Sequence, residues 1–351
     1  MPLNLDNIES ISCPLENLPE LKPGMSFFEI KIPSQYILFD RIFVFSHIVP
    51  GATSAQVYFQ NASTNFRSAT PEDYTSPRKV PYNGIGQAIK DKTRSSICFS
   101  DPGVFSGKGI TTSWYSVVNG VDVCNYMGQV LQHWLNCAGL KPHQTLMFGS
   151  SAGSFGALRT ATFLEGKANV LSVNGQIDRT FEYEGTTNRH DLISYFDKCF
   201  RRQSRIIPNM YLLCNYRDRN IRLNRVFADL ISNFHYDKKG TTRPNIVLDL
   251  YDGIKGHGRP RKSNILEKIQ IAELLLKSSQ DEQNVQREQE SSQDQETEDE
   301  TIKTSQERRD RRERRERRKA DKKREINQEA SIQKNPDLKL AEDRKECIPV
   351  M

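Results

Sequence analysis

The sequence predicts an α/β protein built on a doubly wound, mostly parallel sheet, with a charged low-complexity extension at its C-terminal end. Three observations carry this. First, four short apolar runs (145–148, 168–173, 210–214, 245–250) alternate with four segments of helical spacing (152–164, 191–200, 222–234, 263–277). Apolar strands parted by amphipathic helices are the pattern of a parallel sheet covered on both faces. Second, each run ends in a polar or glycine-bearing turn, and ligands of such sheets bind beyond the C-terminal ends of the strands. Third, the composition breaks near Ser278, after which the chain is almost purely Gln, Glu, Asp, Lys and Arg.

Taken in order, residues 1–35 carry five prolines (Pro2, Pro14, Pro19, Pro23, Pro33) and little periodicity, which predicts a lead-in with a first strand near 27–32. Residues 36–278 form the predicted α/β domain. Tyr36–Val49 is rich in Ile, Phe and Val, as strands are. Ala55–Phe59 and Ser96–Phe99 are shorter apolar runs, each closed by a polar turn, and a long loop follows to Trp114 and Tyr115. Asp122–Leu140 has Val123, Met127, Val130, Leu131 and Trp134 on one helical face and stops at Gly139. Residues 177–189 form a polar excursion without a clear period.

From Ser279 the chain cannot bury enough apolar surface to offset its conformational entropy, so 279–351 is expected to be disordered or a solvated helix. An acidic half (281–300) precedes a basic half (308–324), in which opposite charges three or four apart favour a helix. No apolar seam is present for a coiled coil. The basic half suits a protein partner or an anionic surface, and a nucleic-acid tether is the weaker alternative.

The net charge of +6 in 351 residues is modest and partly the tail's, so it does not mark the folded part as a nucleic-acid binder. Seven scattered cysteines without a Cys-x-x-Cys pair argue against a zinc ribbon or a disulfide framework and suit a reducing compartment. The N-terminal residues lack a long apolar run, and no stretch approaches the length of a membrane span. The expectation is a cytoplasmic protein with no integral membrane segment.

Chemistry concentrates at Gly149-Ser150-Ser151-Ala152-Gly153, where an apolar run ends in Gly-x-Ser-x-Gly and a helical pattern begins at once. This is the sequence form of a nucleophile elbow, a strand-to-helix turn that lifts the central serine, Ser151, above the sheet. A serine alcohol needs a base to take its proton, and histidine has the fitting pKa. Of six histidines, His257 lies in a glycine-flanked turn just after the last strand. A carboxylate between them completes the order serine, acid, histidine. Asp218, after the second strand beyond the elbow, ranks first; Asp178 is the alternative acid, and Asp252 shares the histidine's own loop. An oxyanion needs two donors. The Ala152 backbone N–H is one, and the turn after Ala55–Phe59 offers Gln60 or Asn61 as the other. Such chemistry requires neither a metal nor an organic cofactor.

Together these residues resemble the α/β-hydrolase superfamily over roughly residues 36–278. More narrowly, Tyr58-Phe59-Gln60-Asn61-Ala62, Phe99-Ser100-Asp101-Pro102, Phe148–Gly153, Asn174-Gly175-Gln176 and Gly256-His257 resemble a bacterial group of hydrolase-like proteins linked to surface glycans, with relatives in the accessory Sec system. That resemblance implies acyl-ester chemistry on an acylated, in particular acetylated, glycan or small molecule. It leaves hydrolase and acyltransferase both open. Asn61 and Gly175 depart from the glycine and proline the group would lead one to expect. Arg67, Trp114 and Tyr115 are candidates to line a sugar site. The alternative is a non-catalytic module of glycan biosynthesis or export that keeps the fold and recruits partners through its tail.

Overall fold

The computed structural model describes residues 5–33, 40–62, 76–103, 112–115, 117–118, 120–183, 186–202, 205–233, 244–253, 257, 260, 265–274, 305–306, 308–324 and 326–327. In chain order the first elements are β1 (Glu9–Pro14), β2 (Gly24–Lys31), β3 (Arg41–Ile48), β4 (Ala55–Phe59), α1 (Ile85–Lys90), β5 (Ser95–Phe99), β6 (Val117–Val118), β7 (Val121–Asp122) and α2 (Val123–Cys137). Then come β8 (Thr145–Ser150), α3 (Ala152–Ala161), β9 (Asn169–Val173), β10 (Asp178–Tyr183), β11 (Thr186–Asp191), α4 (Leu192–Arg202), β12 (Asn209–Asn215), α5 (Ile221–Ser232) and β13 (Ile246–Tyr251). Residues 265–274 form α6, and residues 308–324 form a helix, α7, in a separate C-terminal unit that begins at Glu282.

Nine strands make one sheet in the order β1-β2-β3-β5-β4-β8-β9-β12-β13. β3 pairs antiparallel with both β2 and β5, and all other neighbours in this sheet are parallel. The inversion of β4 and β5 in the order, the one reversed strand and the strand-helix alternation after β8 give an α/β-hydrolase-like architecture.

Strand side chains alternate between faces, and the two cores divide accordingly. Phe28, Val57, Phe59, Met147, Val170 and Leu212 pack with Trp134 of α2, Phe155 of α3, Phe196 of α4 and Phe227 of α5. Their sequence neighbours Phe27, Tyr58, Phe148, Leu171 and Leu213 face the other way, against Ala88 of α1 and Ile269 and Ala272 of α6. β4, β5, β8, β9 and β12 are buried along their whole length, as strands covered on both faces must be. Asp122 caps α2, its carboxylate accepting the Asn125 N–H at 3.3 Å.

The chain departs from the sequence expectation in three places. The lead-in is part of the sheet: it supplies β1 as well as β2, because the prolines fall outside the paired core of each strand or at its end. The excursion 177–189 contains a β-hairpin, β10–β11, whose Asp178↔Asp191 to Tyr183↔Thr186 register pairs β-branched and aromatic residues with polar ones. That composition masks the period in the sequence. α1 is also new; at six residues it is too short for periodicity to reveal.

The geometry of the β8–α3 junction excludes side chains at two positions. A Cβ on Gly149 would stand 2.3 Å from the Gly153 carbonyl oxygen, and one on Gly153 would stand 2.6 Å from the Phe59 carbonyl oxygen. Both obstacles are backbone and cannot swing away. Gly86 in α1, by contrast, faces open space. Gly149→Ala is therefore expected to destabilise by about 1–3 kcal/mol or more, whereas Gly86→Ala should be neutral or stabilise by up to about 1 kcal/mol; urea denaturation of the two variants checks the contrast.

Candidate active site

The serine comes to the site through strain. Ser151 is the N-cap of α3 with φ 56° and ψ −117°, a conformation that L-residues seldom adopt. Its N–H donates to the Val173 carbonyl at 2.9 Å, and its own carbonyl accepts from Ser154 N (3.2 Å) and Gln176 N (3.3 Å). The Ser154 hydroxyl donates to the Gly149 carbonyl at 3.0 Å and closes the turn. Strand β9 thus holds the serine backbone from the side while α3 holds it from behind.

The other two groups arrive on neighbouring strand ends. His257 Nε2 lies 2.8 Å from Ser151 Oγ, and His257 Nδ1 lies 2.6 Å from Asp218 Oδ2. Asp218 follows β12, is 3% exposed, and has its second oxygen occupied: Oδ1 accepts the Asn220 backbone N–H at 2.8 Å and its side-chain amide at 2.9 Å. A buried carboxylate accepting at Oδ2 sets the proton on Nδ1, which leaves the Nε2 lone pair facing the serine hydroxyl. The Asn220 side-chain oxygen in turn accepts from Arg179 Nη2 at 2.6 Å. Burial and the neighbouring charge of Arg219 hold the Arg179 guanidinium below its ordinary pKa.

A knot of asparagines fixes the two loops relative to each other. The Asn215 side-chain oxygen accepts from Arg217 N in the acid loop and from Gly253 N in the histidine loop, both at 3.1 Å. Asn174, in the left-handed region at φ 49°, accepts the Asn215 N–H at 2.7 Å and donates to the Tyr251 hydroxyl at 2.6 Å. The ends of β9, β12 and β13 are joined through these side chains.

Other predicted positions fall differently. Asp178 lies in β10 and pairs with Arg189 across the hairpin at 2.7 Å, so its carboxylate serves the hairpin rather than His257. Asp252 pairs with Arg217 at 2.9 Å, which also takes Arg217 away from Asp218. The Gln60 backbone N–H is spent on the Phe99 carbonyl at 3.1 Å, and its side-chain oxygen accepts from Ser100 Oγ (2.7 Å) and Asp101 N (2.9 Å). Gln60 is thereby a clamp between the ends of β4 and β5. Asn61 is half-buried, its side-chain amide donating to Ala62 O at 3.2 Å, and its backbone N–H has no acceptor among the described residues. Ala152 opens α3, where backbone N–H groups lack intrahelical acceptors.

Trp114 and Tyr115 both have φ 52°, and their segment is held by the fully buried Asp101. That carboxylate accepts from Gly103 N at 2.8 Å, Ser113 N at 3.0 Å and the Thr112 hydroxyl. Burial pushes the Asp101 carboxyl up while these hydrogen bonds pull it down. Tyr115 is fully buried, its hydroxyl donating to Gln60 O at 2.9 Å, so it belongs to the core and not to a sugar site. Half-buried Trp114 donates its indole N–H to the side chain of Gln176, whose backbone N–H holds Ser151. Arg67 lies outside the described residues. Asn220, Asn215 and Arg179 are not singled out by the sequence, since lone polar residues in or beside turns carry no distinguishing spacing, and Asn174 and Gln176 stand there only as part of a resemblance, without a role.

No family model matches the chain, and no curated protein matches it. Among solved structures it is similar to the capsule O-acetyltransferase of Neisseria meningitidis serogroup A, at 14% identity over 68% of this chain and 90% of that one, with a TM-score of 0.42. An esterase from Thermogutta terrifontis matches at 15% identity over 67% of this chain and 87% of that one, TM-score 0.42. The S-formylglutathione hydrolase of Staphylococcus aureus matches at 12% identity over 74% and 98%, TM-score 0.41. Among the described residues, no helix is long and apolar enough to cross a membrane.

One histidine behind the site gives it a pH-dependent support. His190 of β11 is 5% exposed, stands edge-on to Phe155 of α3, and has no hydrogen-bond partner for Nε2. Burial, reinforced by the charge of Arg159, lowers its pKa to about 4. Between that value and an unfolded pKa of about 6.5, the unfolded chain binds a proton that the folded chain refuses, so stability is full above that range and declines on acidification. Urea titrations at pH 7.5 and pH 5 should show the native chain losing about 2 kcal/mol more than His190→Gln over this interval.

Proposed function

We propose that the chain is a serine acyl-ester hydrolase or acyltransferase. The observation that carries this reading is the unbroken hydrogen-bond line from Asp218 through His257 to a serine held in strained backbone. Backbone strain of this kind costs about 1–3 kcal/mol and persists where surrounding structure imposes it, often at reactive groups. Ser151 Oγ attacks the acyl carbon while His257 Nε2 takes its proton. The negative charge on the carbonyl oxygen is met by the Ala152 N–H and, from the β4 turn, the Asn61 N–H. Collapse of the tetrahedral species expels the alcohol, protonated by His257, and leaves an acyl group on Ser151. A second hydroxyl, from water or from an acceptor, then gives its proton to His257 as its oxygen attacks the acyl carbon, and the bond to Ser151 Oγ breaks as His257 returns the proton to that oxygen. Asp218 orients the imidazole and stabilises the imidazolium formed in each half. The imidazole is the exposed member, with 38% of its side chain accessible against 2% for Asp218, so an incoming hydroxyl can reach it.

An acylated glycan, in particular an acetylated one, is the substrate we infer. This rests on the short phrases at 58–62, 99–102 and 174–176, which resemble the glycan-linked group and are not general features of the fold. Trp114, held at the edge of the elbow through Gln176, offers a flat apolar surface of the kind a sugar ring stacks on.

A fluorophosphonate probe tests the chemistry directly. The native chain should label at one serine, with labelling abolished in Ser151→Ala and slowed roughly 10³-fold or more in His257→Ala and Asp218→Asn. A folded native chain that does not label, or that labels equally in Ser151→Ala, would sink the assignment. Release of acetate from acetylated oligosaccharides, with and without an acceptor sugar, then separates hydrolysis from transfer.

A further inference from the structure

The site leaves one large feature of the chain without a role. Helix α7 carries nine arginines and three lysines against four acidic residues over 308–324, a net charge of +8, and every one of these residues is exposed. Charge so dense would be unremarkable if it were neutralised along the helix. It is not: among the described residues the one ion pair here is Arg312–Glu316, at 3.5 Å.

The charges are also sorted by face. At 3.6 residues per turn, Arg308, Arg311, Arg315, Arg318, Lys319 and Lys322 fall within an arc of about 100° that holds no acid. Asp310, Glu313, Glu316 and Asp321 all fall on the far side, together with Arg309, Arg317 and Arg324. The result is a straight cationic stripe about 21 Å long, at 1.5 Å per residue, backed by a mixed face. Ala320 is the single apolar residue in 308–324, so the helix has no face to bury at a lipid boundary. Asn, Gln, Ser and Thr, the neutral side chains that hydrogen-bond base edges, are absent from it.

We propose that α7 is a nucleic-acid-binding helix that docks its acid-free arginine stripe along the phosphates of a duplex. Each strand of a duplex offers one negative charge per about 3.4 Å of axis, and the six cations of the stripe present one per roughly 3.5 Å. Arginine outnumbers lysine three to one in the helix, and its planar fork pairs with phosphate oxygens two at a time. Binding is carried by the backbone of the nucleic acid and is independent of its sequence.

The test is fluorescence anisotropy of the full-length chain with a labelled 20-base-pair duplex. Affinity should fall roughly 10³-fold or more between 50 and 200 mM KCl, as six or more phosphate contacts require, and should be the same for duplexes of unrelated sequence. Two triple variants with the same change of charge separate a face from a mere charge. Arg311/Arg315/Arg318→Glu should lose roughly 100-fold or more in affinity, and Arg309/Arg317/Arg324→Glu less than about tenfold; circular dichroism checks that both keep their helix. Ser151→Ala should bind as the native chain does, so a failed esterase assignment leaves this result untouched. Equal losses in the two triple variants would overturn the proposal. So would absence of duplex binding at 50 mM KCl, whether the chain instead takes up vesicles of 30% anionic lipid or associates with itself through its acidic 281–300 stretch.

Discussion

Ser151 holds a backbone conformation that costs free energy, and much of the surrounding structure acts to impose it. Glycines on either side let β8 and α3 approach until no Cβ fits between them. The edge of β9 then anchors the serine N–H, and Gln176 anchors its carbonyl. Because the turn has no room to relax, the hydroxyl direction is set by the sheet itself. A group placed this way needs no rearrangement when a partner arrives, which is the physical content of preorganisation.

The partners are placed by a second device, polar and shared. Asn215 bonds both the acid loop and the histidine loop, and Asn174 ties Asn215 to β9 and to Tyr251. These amides are buried or nearly so, where a hydrogen bond left unmade is costly. Shifting either loop would therefore break bonds in both. Asn220 extends the same logic to the acid by filling the carboxylate oxygen that His257 does not use. Ser151, Asp218 and His257 are thus held by hydrogen bonds from neighbouring backbone and amide groups.

Much of this was legible in the sequence, for identifiable reasons. The short apolar runs from Thr145 onward alternate with helical segments and close in polar turns, and this alternation is what places β8, β9, β12 and β13. The Gly-x-Ser-x-Gly turn is legible because its glycines are sterically required. His257 and Asp218 are singled out by their places after β13 and β12, and the structure joins both to Ser151 in one hydrogen-bonded line. What escaped had physical reasons too. Strand β1 ends at a proline, Pro14, and the β10–β11 hairpin sets its few β-branched and aromatic residues opposite polar ones, so no period stands out. The Asn220–Asp218 and Trp114–Gln176 contacts join residues whose types suit any turn. Gln60 and Asn61 were inseparable until the pairing of β4 with β5 showed whose N–H was already taken.

Ser151, Asp218 and His257 do not ride on equally firm supports. Serine and acid follow β8 and β12, every residue of which is buried. The histidine follows β13, the last strand of the sheet, whose residues are half-buried or exposed and which has one strand neighbour. Edges of sheets open at lower free energy than their centres. Fraying of β13 would carry the imidazole away while serine and carboxylate stay in place. On the proposed chemistry, warming would therefore silence turnover before the fold melts, and cooling would restore it without refolding. The sheet's weakest seam would act as a thermal fuse for the base.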